Sequence, residues 1–221
     1  MKRHILIIGL ALITAGMGTA RVIAAESTSQ AVRDLSNANT AFALDLYARL
    51  KGQGGNLFFS PYSLSTALAM TYAGASGNTK REMAQVLHFK PGDQPHPAFA
   101  QLQASLDEIQ KGGAVQLRVA NSLWPERTYA FLPAFLNLAR EHYGVTITPC
   151  DFIKAPEAAR QQINAWVEQK TEDKIKDLIP SGALNSRTRL VLANAIYFKG
   201  NWASPFAPKL TRLAPFHVTP G

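Results

Sequence analysis

The sequence predicts an α+β domain in which helices come first and strands appear later along the chain. Between residues 32 and 110, apolar side chains recur mostly at intervals of three or four, which is typical of helices that bury one face. Further along, "VQLRVANSLW" (115–124) alternates apolar and polar residues, and "LVLANAIYF" (190–198) is apolar on almost consecutive positions. Both patterns favour strands. The 221 residues contain no internal repeat and suffice for one domain with a sizeable core.

The first 25 residues predict a secretory signal peptide. Lys2 and Arg3 give a basic start, and the apolar stretch of residues 5–17 is too short to span a bilayer. Small residues follow at positions 22–25, so we expect cleavage after Ala24 or Ala25. A retained membrane anchor is the alternative. We therefore expect a secreted protein, in the extracellular space or a periplasm, whose folded domain is residues 26–221.

The first two helices differ in the sides that they bury. Four apolar residues at helical spacing predict the first helix, which residues 51–55 ("KGQGG") end: Val32, Leu35, Phe42 and Leu46. "NLFF" (56–59) is predicted to be a short strand. Ser60 suits the cap of a second helix, with Pro61 in its first turn. That helix, Tyr62 to Tyr72, carries no charged residue on any side, so we expect a core helix.

Two further helices are predicted before the first long strand. The third begins at a capping box formed by Thr79 and Glu82, and Met83, Val86 and Leu87 form its apolar stripe. The fourth lies between a loop (residues 91–97) and the glycine pair at 112–113. Its apolar positions are Phe99, Leu102, Leu106 and Ile109.

The second half of the chain alternates strands and helices. After the strand at 115–124 we expect a helix from Pro133 to His142, a short strand "VTITPCDF" (145–152), and a long helix from Pro156 through Leu178. The apolar run from residue 190 is compatible with a buried helix segment, but its length and its end at residues 199–200 ("KG") favour a strand. Such a strand should be covered on both faces and have neighbours at both edges.

Residue patterns for catalysis or cofactor binding are missing from the sequence. We find neither a G-x-S-x-G elbow nor a Walker loop, and the histidines are scattered without a metal-binding spacing. Cys150 has no partner histidine nearby and is expected to behave as a small apolar side chain. A hydrolase is the alternative that these observations disfavour. We expect a protein that is not an enzyme and that binds no metal or cofactor.

The charge pattern bears on possible partners. The formal net charge is +8, but Lys and Arg are spread along the chain without dense runs interleaved with aromatic residues. We therefore expect no nucleic-acid partner. Beyond the N-terminal segment, no stretch of the sequence is long and apolar enough for a membrane span, so no membrane partner is expected either.

Several motifs resemble the serpin family. They are "NLFFSPYSLSTALAMTYAGASGNTKREMAQVLHF" (56–89), "VANSLW" (119–124), the long helix from Pro156, and "VLANAIYFKGNWASPF" (191–206). The last motif continues with the spacing Phe206, Thr211, Phe216. The resemblance runs from residue 32 to residue 221 and implies the N-terminal half of a serpin-like fold. It implies an incomplete domain that ends before the reactive-centre loop, so that the reactive-centre bond is absent. A fragment and a truncated product both remain open.

The resemblance implies that the full-length form is a serine-type endopeptidase inhibitor with a serine protease as its partner. In this family a protease attacks the reactive-centre loop, and the cut loop inserts beside the strand matching residues 189–202. A non-inhibitory binding or chaperone-like serpin, or an inactive truncated product, is the alternative. Some serpins bind polyanions on their fourth helix. Because that helix carries Asp107 and Glu108 beside Lys111, we expect no polyanion binding here.

The resemblance also implies roles for individual residues. Ser60, Ser63 and Asn194 match the family's shutter, beneath the centre of the main sheet, and Trp202 matches the breach, where the loop first enters. Three of these four residues have a simpler alternative: Ser60 as a helix cap, Asn194 as a paired core amide, and Trp202 as an ordinary core residue. Asn194 lies among apolar residues and must find partners, because an unpaired buried polar group costs about 1–3 kcal/mol.

Overall fold

A computed structural model describes residues 30–215, apart from residues 92, 112 and 114 and the side chains of residues 109 and 110. The predicted signal peptide and Phe216 lie outside the described residues. Helix α1 is described over residues 30–50. The elements that follow are α2 (Pro61–Gly74), α3 (Gly77–Val86), α4 (Pro95–Gln110), β1 (Val115–Pro125), α5 (Pro133–Tyr143), β2 (Thr146–Ile147), α6 (Pro156–Lys170), β3 (Leu190–Gly200) and a 3₁₀ turn (Pro208–Leu210).

The three strands form one mixed sheet in the order β2-β1-β3. β1 and β3 pair antiparallel over their whole length, from Val115 opposite Gly200 to Pro125 opposite Leu190. β2 adds a short parallel pair to the other edge of β1. Among the described residues, no strand pairs with the outer edge of β3. The expected neighbour is therefore present at one edge of β3 only.

Helices cover both faces of the sheet, as predicted for β3. α2, α4 and α5 pack on one face, where the core is built around Met70, Phe99 and Leu123. α6 packs on the other face, where Trp124 and Ile163 are buried. Alternate residues of β3 belong to the two cores, since successive strand side chains point to opposite faces: Leu190 and Leu192 to the first, Val191 and Ala193 to the second.

Helix α2 is a core helix, but its buried side is not its most apolar one. Ser63, Ser65 and Thr66 are buried, whereas Leu64 and Leu68 are exposed. The hydroxyls of Ser65 and Thr66 are satisfied within the helix, since both donate to the carbonyl of Tyr62. Small hydroxyl side chains therefore let α2 lie close to its neighbours without leaving unpaired polar groups.

Two predictions near the N-terminal half are wrong. "NLFF" (56–59) forms no strand, and Phe58 is 96% exposed, because within the described part of the chain no ladder partner lies beside it. Helix α3 begins at Gly77, with Ser76 at its N-cap position. Thr79 therefore lies inside the first turn and cannot form the predicted capping box.

Two further elements are shorter than predicted. α6 ends at Lys170, eight residues before Leu178 in the predicted helix, because Glu172 and Asp173 adopt positive φ angles of 51° and 58°. The predicted strand at 145–152 keeps only the two residues of β2 and an isolated bridge between Glu126 and Cys150.

Within the described residues, no helix combines the length and apolar character that a membrane span requires.

Candidate functional site

The sheet and the start of α2 bring four polar residues together. Asn121 of β1 and Asn194 of β3 lie directly opposite each other in the antiparallel ladder. Ser63 lies in the first turn of α2 and reaches Asn194 from the helical side. Ser60 is the N-cap residue of α2, and its hydroxyl accepts a hydrogen bond from the Ser63 amide at 3.3 Å. We call these four residues the central polar cluster.

Hydrogen bonds connect the central polar cluster from the helix to both strands. The Ser63 hydroxyl donates to Oδ1 of Asn194. Nδ2 of Asn194 donates to Oδ1 of Asn121 at 2.6 Å. Nδ2 of Asn121 in turn donates to the main-chain carbonyl of Tyr143, at the end of α5, at 3.3 Å. A single side chain of β3 is thus tied to α2 and, through β1, to α5.

The hydrogen bonds of the central polar cluster contribute to stability because its side chains are largely shielded from water. Ser63 and Asn121 are each 8% exposed, and Asn194 is half-buried. Breaking the Asn194 contacts without replacing them would leave buried polar groups unpaired, at about 1–3 kcal/mol per group. A replacement partner for the same atoms would recover most of that cost. The cluster therefore helps to hold β3 in the observed arrangement.

The sequence-based predictions for the cluster had mixed outcomes. Ser60 is the predicted helix cap, and the structure places Ser60, Ser63 and Asn194 together as the resemblance implied. Both polar side-chain atoms of Asn194 are hydrogen-bonded, as expected for a polar residue in an apolar run. Asn121 was missed, although it interrupts the apolar side of "VANSLW" in the same way. Its importance depends on the β1–β3 register, which the sequence does not give.

A buried histidine adjoins the cluster through Tyr143. Nδ1 of His96, on α4, lies 2.7 Å from the Tyr143 hydroxyl. Burial, with smaller contributions from His142 and Lys80, lowers the pKa of His96 to about 4. Burial also raises the pKa of the Tyr143 hydroxyl above its usual range. Both groups are therefore uncharged at neutral pH.

The second group of predicted residues lies apart from the cluster. Trp202 is 71% exposed and contacts Phe206 edge to face, with ring centroids 5.7 Å apart. Among the described residues no side chain buries Trp202, and its role at the breach stays a prediction. Phe206 and Thr211 are also exposed. The structure does not bring these three residues to the central polar cluster.

Two titratable groups outside the cluster have structural explanations. The buried carboxylate of Glu126 accepts from the Phe152 amide at 2.7 Å and from the amide and hydroxyl of Thr128. Burial raises the pKa of Glu126, but these bonds outweigh it and leave the pKa below its usual value. Burial raises the pKa of the Cys150 thiol, which disfavours the reactive thiolate. Within the described residues, no group of His, Cys, Asp or Glu side chains is arranged to hold a metal ion.

Comparison with known proteins decides the family. Residues 37–221 match the family model described as "Serpin (serine protease inhibitor)". This chain belongs to the serpin family. The family prediction and the prediction of an N-terminal, incomplete serpin fold are thereby confirmed. The family's description is that of an inhibitor rather than of a catalyst.

Individual relatives show how much of a serpin the chain represents. It is 44% identical over 189 residues to a leukocyte elastase inhibitor of Sus scrofa, covering 85% of this chain and 50% of the relative. The corresponding human protein is 43% identical, with 49% of its length covered. The chain thus spans about half the length of the curated relatives that it matches.

Solved serpin structures have the same fold over the described region. "Cleaved Serpin 42Da" superimposes with a TM-score of 0.76 at 37% identity, covering 86% of this chain and 50% of that structure. Ovalbumin from emu (Dromaius novaehollandiae) gives a TM-score of 0.76 at 33% identity, with 84% and 52% covered. The partial sheet and its helices are therefore the matching half of a serpin fold.

The same comparison contradicts the prediction of secretion. The matched relatives are named leukocyte elastase inhibitors, and they give no support to secretion or to a cleaved signal peptide. The predicted extracellular or periplasmic destination is therefore wrong. The prediction rested on the local composition of residues 1–25 alone.

Proposed function

We propose that the protein carrying this chain, together with a reactive-centre loop, inhibits serine proteases by trapping them. The observation that carries the proposal is the central polar cluster, which holds β3, a strand whose outer edge has no partner strand among the described residues. Family membership and relatives named as elastase inhibitors support the same function. An elastase-like serine protease is accordingly the partner that we would test first.

In the proposed mechanism the protease attacks the reactive-centre loop and forms an acyl-enzyme. The cleaved loop then adds to the sheet as a new strand along the outer edge of β3. Strand addition suits this edge, since its main-chain N–H and C=O groups have no ladder partner among the described residues. The driving free energy comes from hydrogen bonds and burial that are completed after cleavage. No residue of the chain needs to act as an acid or base, so the protein is proposed not to be an enzyme.

Named residues take part in this opening. We propose that Ser60, Ser63 and Asn194 form the shutter, which must release β3 from α2 as the sheet opens. Asn121 joins them as the cross-strand partner of Asn194. We propose that Trp202, exposed against Phe206, belongs to the breach where the loop enters. Its exposure leaves its indole ring available to contact an incoming strand.

Polyanion activation is not part of the proposal. At the C-terminal end of α4, the ammonium of Lys111 lies 2.5 Å from the carboxylate of Glu108, and Asp107 adds a second negative charge nearby. A polyanion would therefore meet a paired cation beside two carboxylates, which disfavours its binding.

A covalent adduct tests the proposed function. We expect the protein, with its reactive-centre loop, to form an SDS-stable complex with an elastase-like protease, and no complex when the protease's catalytic serine is blocked. Asn194→Ala should shift the outcome from stable complex toward simple cleavage. The control variant Asn137→Ala, which changes an exposed asparagine on α5, should not shift it. Cleavage as a plain substrate by a broad panel of proteases, without any adduct, would favour the non-inhibitory alternative.

The chain by itself gives a second test. We expect the purified 221-residue chain to inhibit no serine protease, since it contains no segment resembling the reactive-centre loop. Stoichiometric inhibition that depends on the protease's active site would require a reactive segment within these residues.

A further inference from the structure

A line of buried hydrogen bonds leads from the central polar cluster into the helical layer. It begins at Asn121, whose Nδ2 donates to the main-chain carbonyl of Tyr143. The Tyr143 side chain reaches α4, where its hydroxyl lies 2.7 Å from Nδ1 of His96. His96 and Tyr143 are each 7% exposed. One residue of α5 therefore touches the cluster with its main chain and α4 with its side chain.

The position of Tyr143 makes its carbonyl sensitive to that side-chain contact. Tyr143 is the last residue of α5, and Gly144 ends the helix with a φ of 59°. Carbonyls in the last turn of a helix lack partners within it and depend on external donors. The Asn121 amide is such a donor. The hydroxyl bond to His96 fixes the same residue from the other side.

The surroundings of His96 hold its ring in place. Tyr72 of α2 lies 6.0 Å away between ring centroids, and His142 of α5 is stacked at 6.4 Å. From α3, the ammonium of Lys80 lies over the Tyr72 ring. Phe99 of α4 packs on Tyr143 at 5.5 Å. The titratable groups near His96 thus come from α2, α3 and α5, and an uncharged imidazole fits this environment.

We propose that His96 and Tyr143 are positioning residues that hold Asn121, and through it Asn194, and so set how readily β3 separates from β1 and α2. The regulatory meaning of this coupling rests on the proposed function, whereas the coupling itself is a property of the chain. Loosening the His96–Tyr143 bond lets the end of α5 move. The Asn121–Asn194 pair then loses one of its two fixed ends.

Hydrogen exchange measured by mass spectrometry on the 221-residue chain tests the coupling without any protease. We expect His96→Phe and Tyr143→Phe each to speed amide exchange in β3 peptides containing Asn194 by about tenfold, the order expected for losing one buried hydrogen bond. His96→Asn should keep exchange slow, since the asparagine side-chain amide can replace Nδ1 of His96 as the partner of the Tyr143 hydroxyl. The matched control is Tyr62→Phe, which removes another half-buried hydroxyl bond between α2 and α4, to Gln103 at 2.9 Å.

The outcomes separate this inference from the proposed function. Faster exchange around Asn194 in both Phe variants, but not in Tyr62→Phe, supports the coupling even if the full protein forms no protease adduct. Unchanged exchange around Asn194 overturns it even if the adduct forms. Amide exchange that is equally faster throughout the chain, and that stays fast in His96→Asn, would mean that the two residues support only the stability of the whole fold. That result also overturns the coupling. If His96→Phe does not fold, Tyr143→Phe and His96→Asn decide the question.

Discussion

Mild acid should destabilise this fold through His96 in particular. Burial beside His142 and Lys80 lowers the pKa of His96 from 6.5 to about 4. Between these two pKa values, His96 is protonated in the unfolded chain but not in the folded chain. The free energy of unfolding therefore falls as the pH falls. From this shift, the cost is near zero at pH 7, about 2 kcal/mol at pH 5 and about 3 kcal/mol at pH 4. Below pH 4 it levels off, since both states are then protonated.

The assay compares the chain with His96→Asn, which keeps a hydrogen-bonding group without an ionisable ring. Urea unfolding is followed by tryptophan fluorescence, with buried Trp124 as the main reporter, at protein concentrations low enough to limit association through β3. Carboxylates also titrate in this range, but they are common to both proteins. The difference in unfolding free energy between the two should therefore shift by about 2 kcal/mol in favour of the variant from pH 7 to pH 5.

Two results would refute this reasoning. A difference between the chain and His96→Asn that does not change with pH would mean that His96 titrates normally in the folded state. A change of the opposite sign would mean that the folded state binds the proton more tightly. As a control, His88→Asn removes an exposed histidine paired with Asp45 and should not reproduce the destabilising trend.

Three further predictions concern the strands and their supports. Asn121→Leu and Asn194→Leu should each cost about 1–3 kcal/mol of unfolding free energy, and the double variant less than their sum; additive costs would argue against a coupled pair. Ile196→Lys should reduce concentration-dependent oligomers in light scattering, since in the described part of the chain no strand pairs with the outer edge of β3; a monomeric chain that the change merely unfolds would contradict this. Glu126→Gln should lower the urea midpoint at pH 7, and this deficit should shrink as acid protonates Glu126 in the unchanged chain. The control variant Glu141→Gln should show neither effect.

Local patterns were sufficient for most of the helices and both long strands. The cap at Ser60, the uncharged helix that follows it, and the apolar run of β3 each depend on neighbours within a few residues. Where a prediction failed, a distant or turn-forming residue decided the outcome. "NLFF" has strand-like residues but no ladder partner, and the periodicity through Leu178 continues past Glu172 and Asp173, whose positive φ angles end α6.

By itself, the sequence determined the α+β class, the family and three of the four members of the central polar cluster. The class follows from spacing and residue type along short stretches of chain, whereas the family and the three residues follow from motifs that resemble the serpin family. The tertiary structure alone decided that Asn121 completes the cluster and that Tyr143 connects it to His96. These contacts join residues far apart in the chain, through the antiparallel register of β1 and β3 and the packing of α4 on α5. A hydrogen bond depends on distance and angle in space, and neither is written in the local pattern of residues.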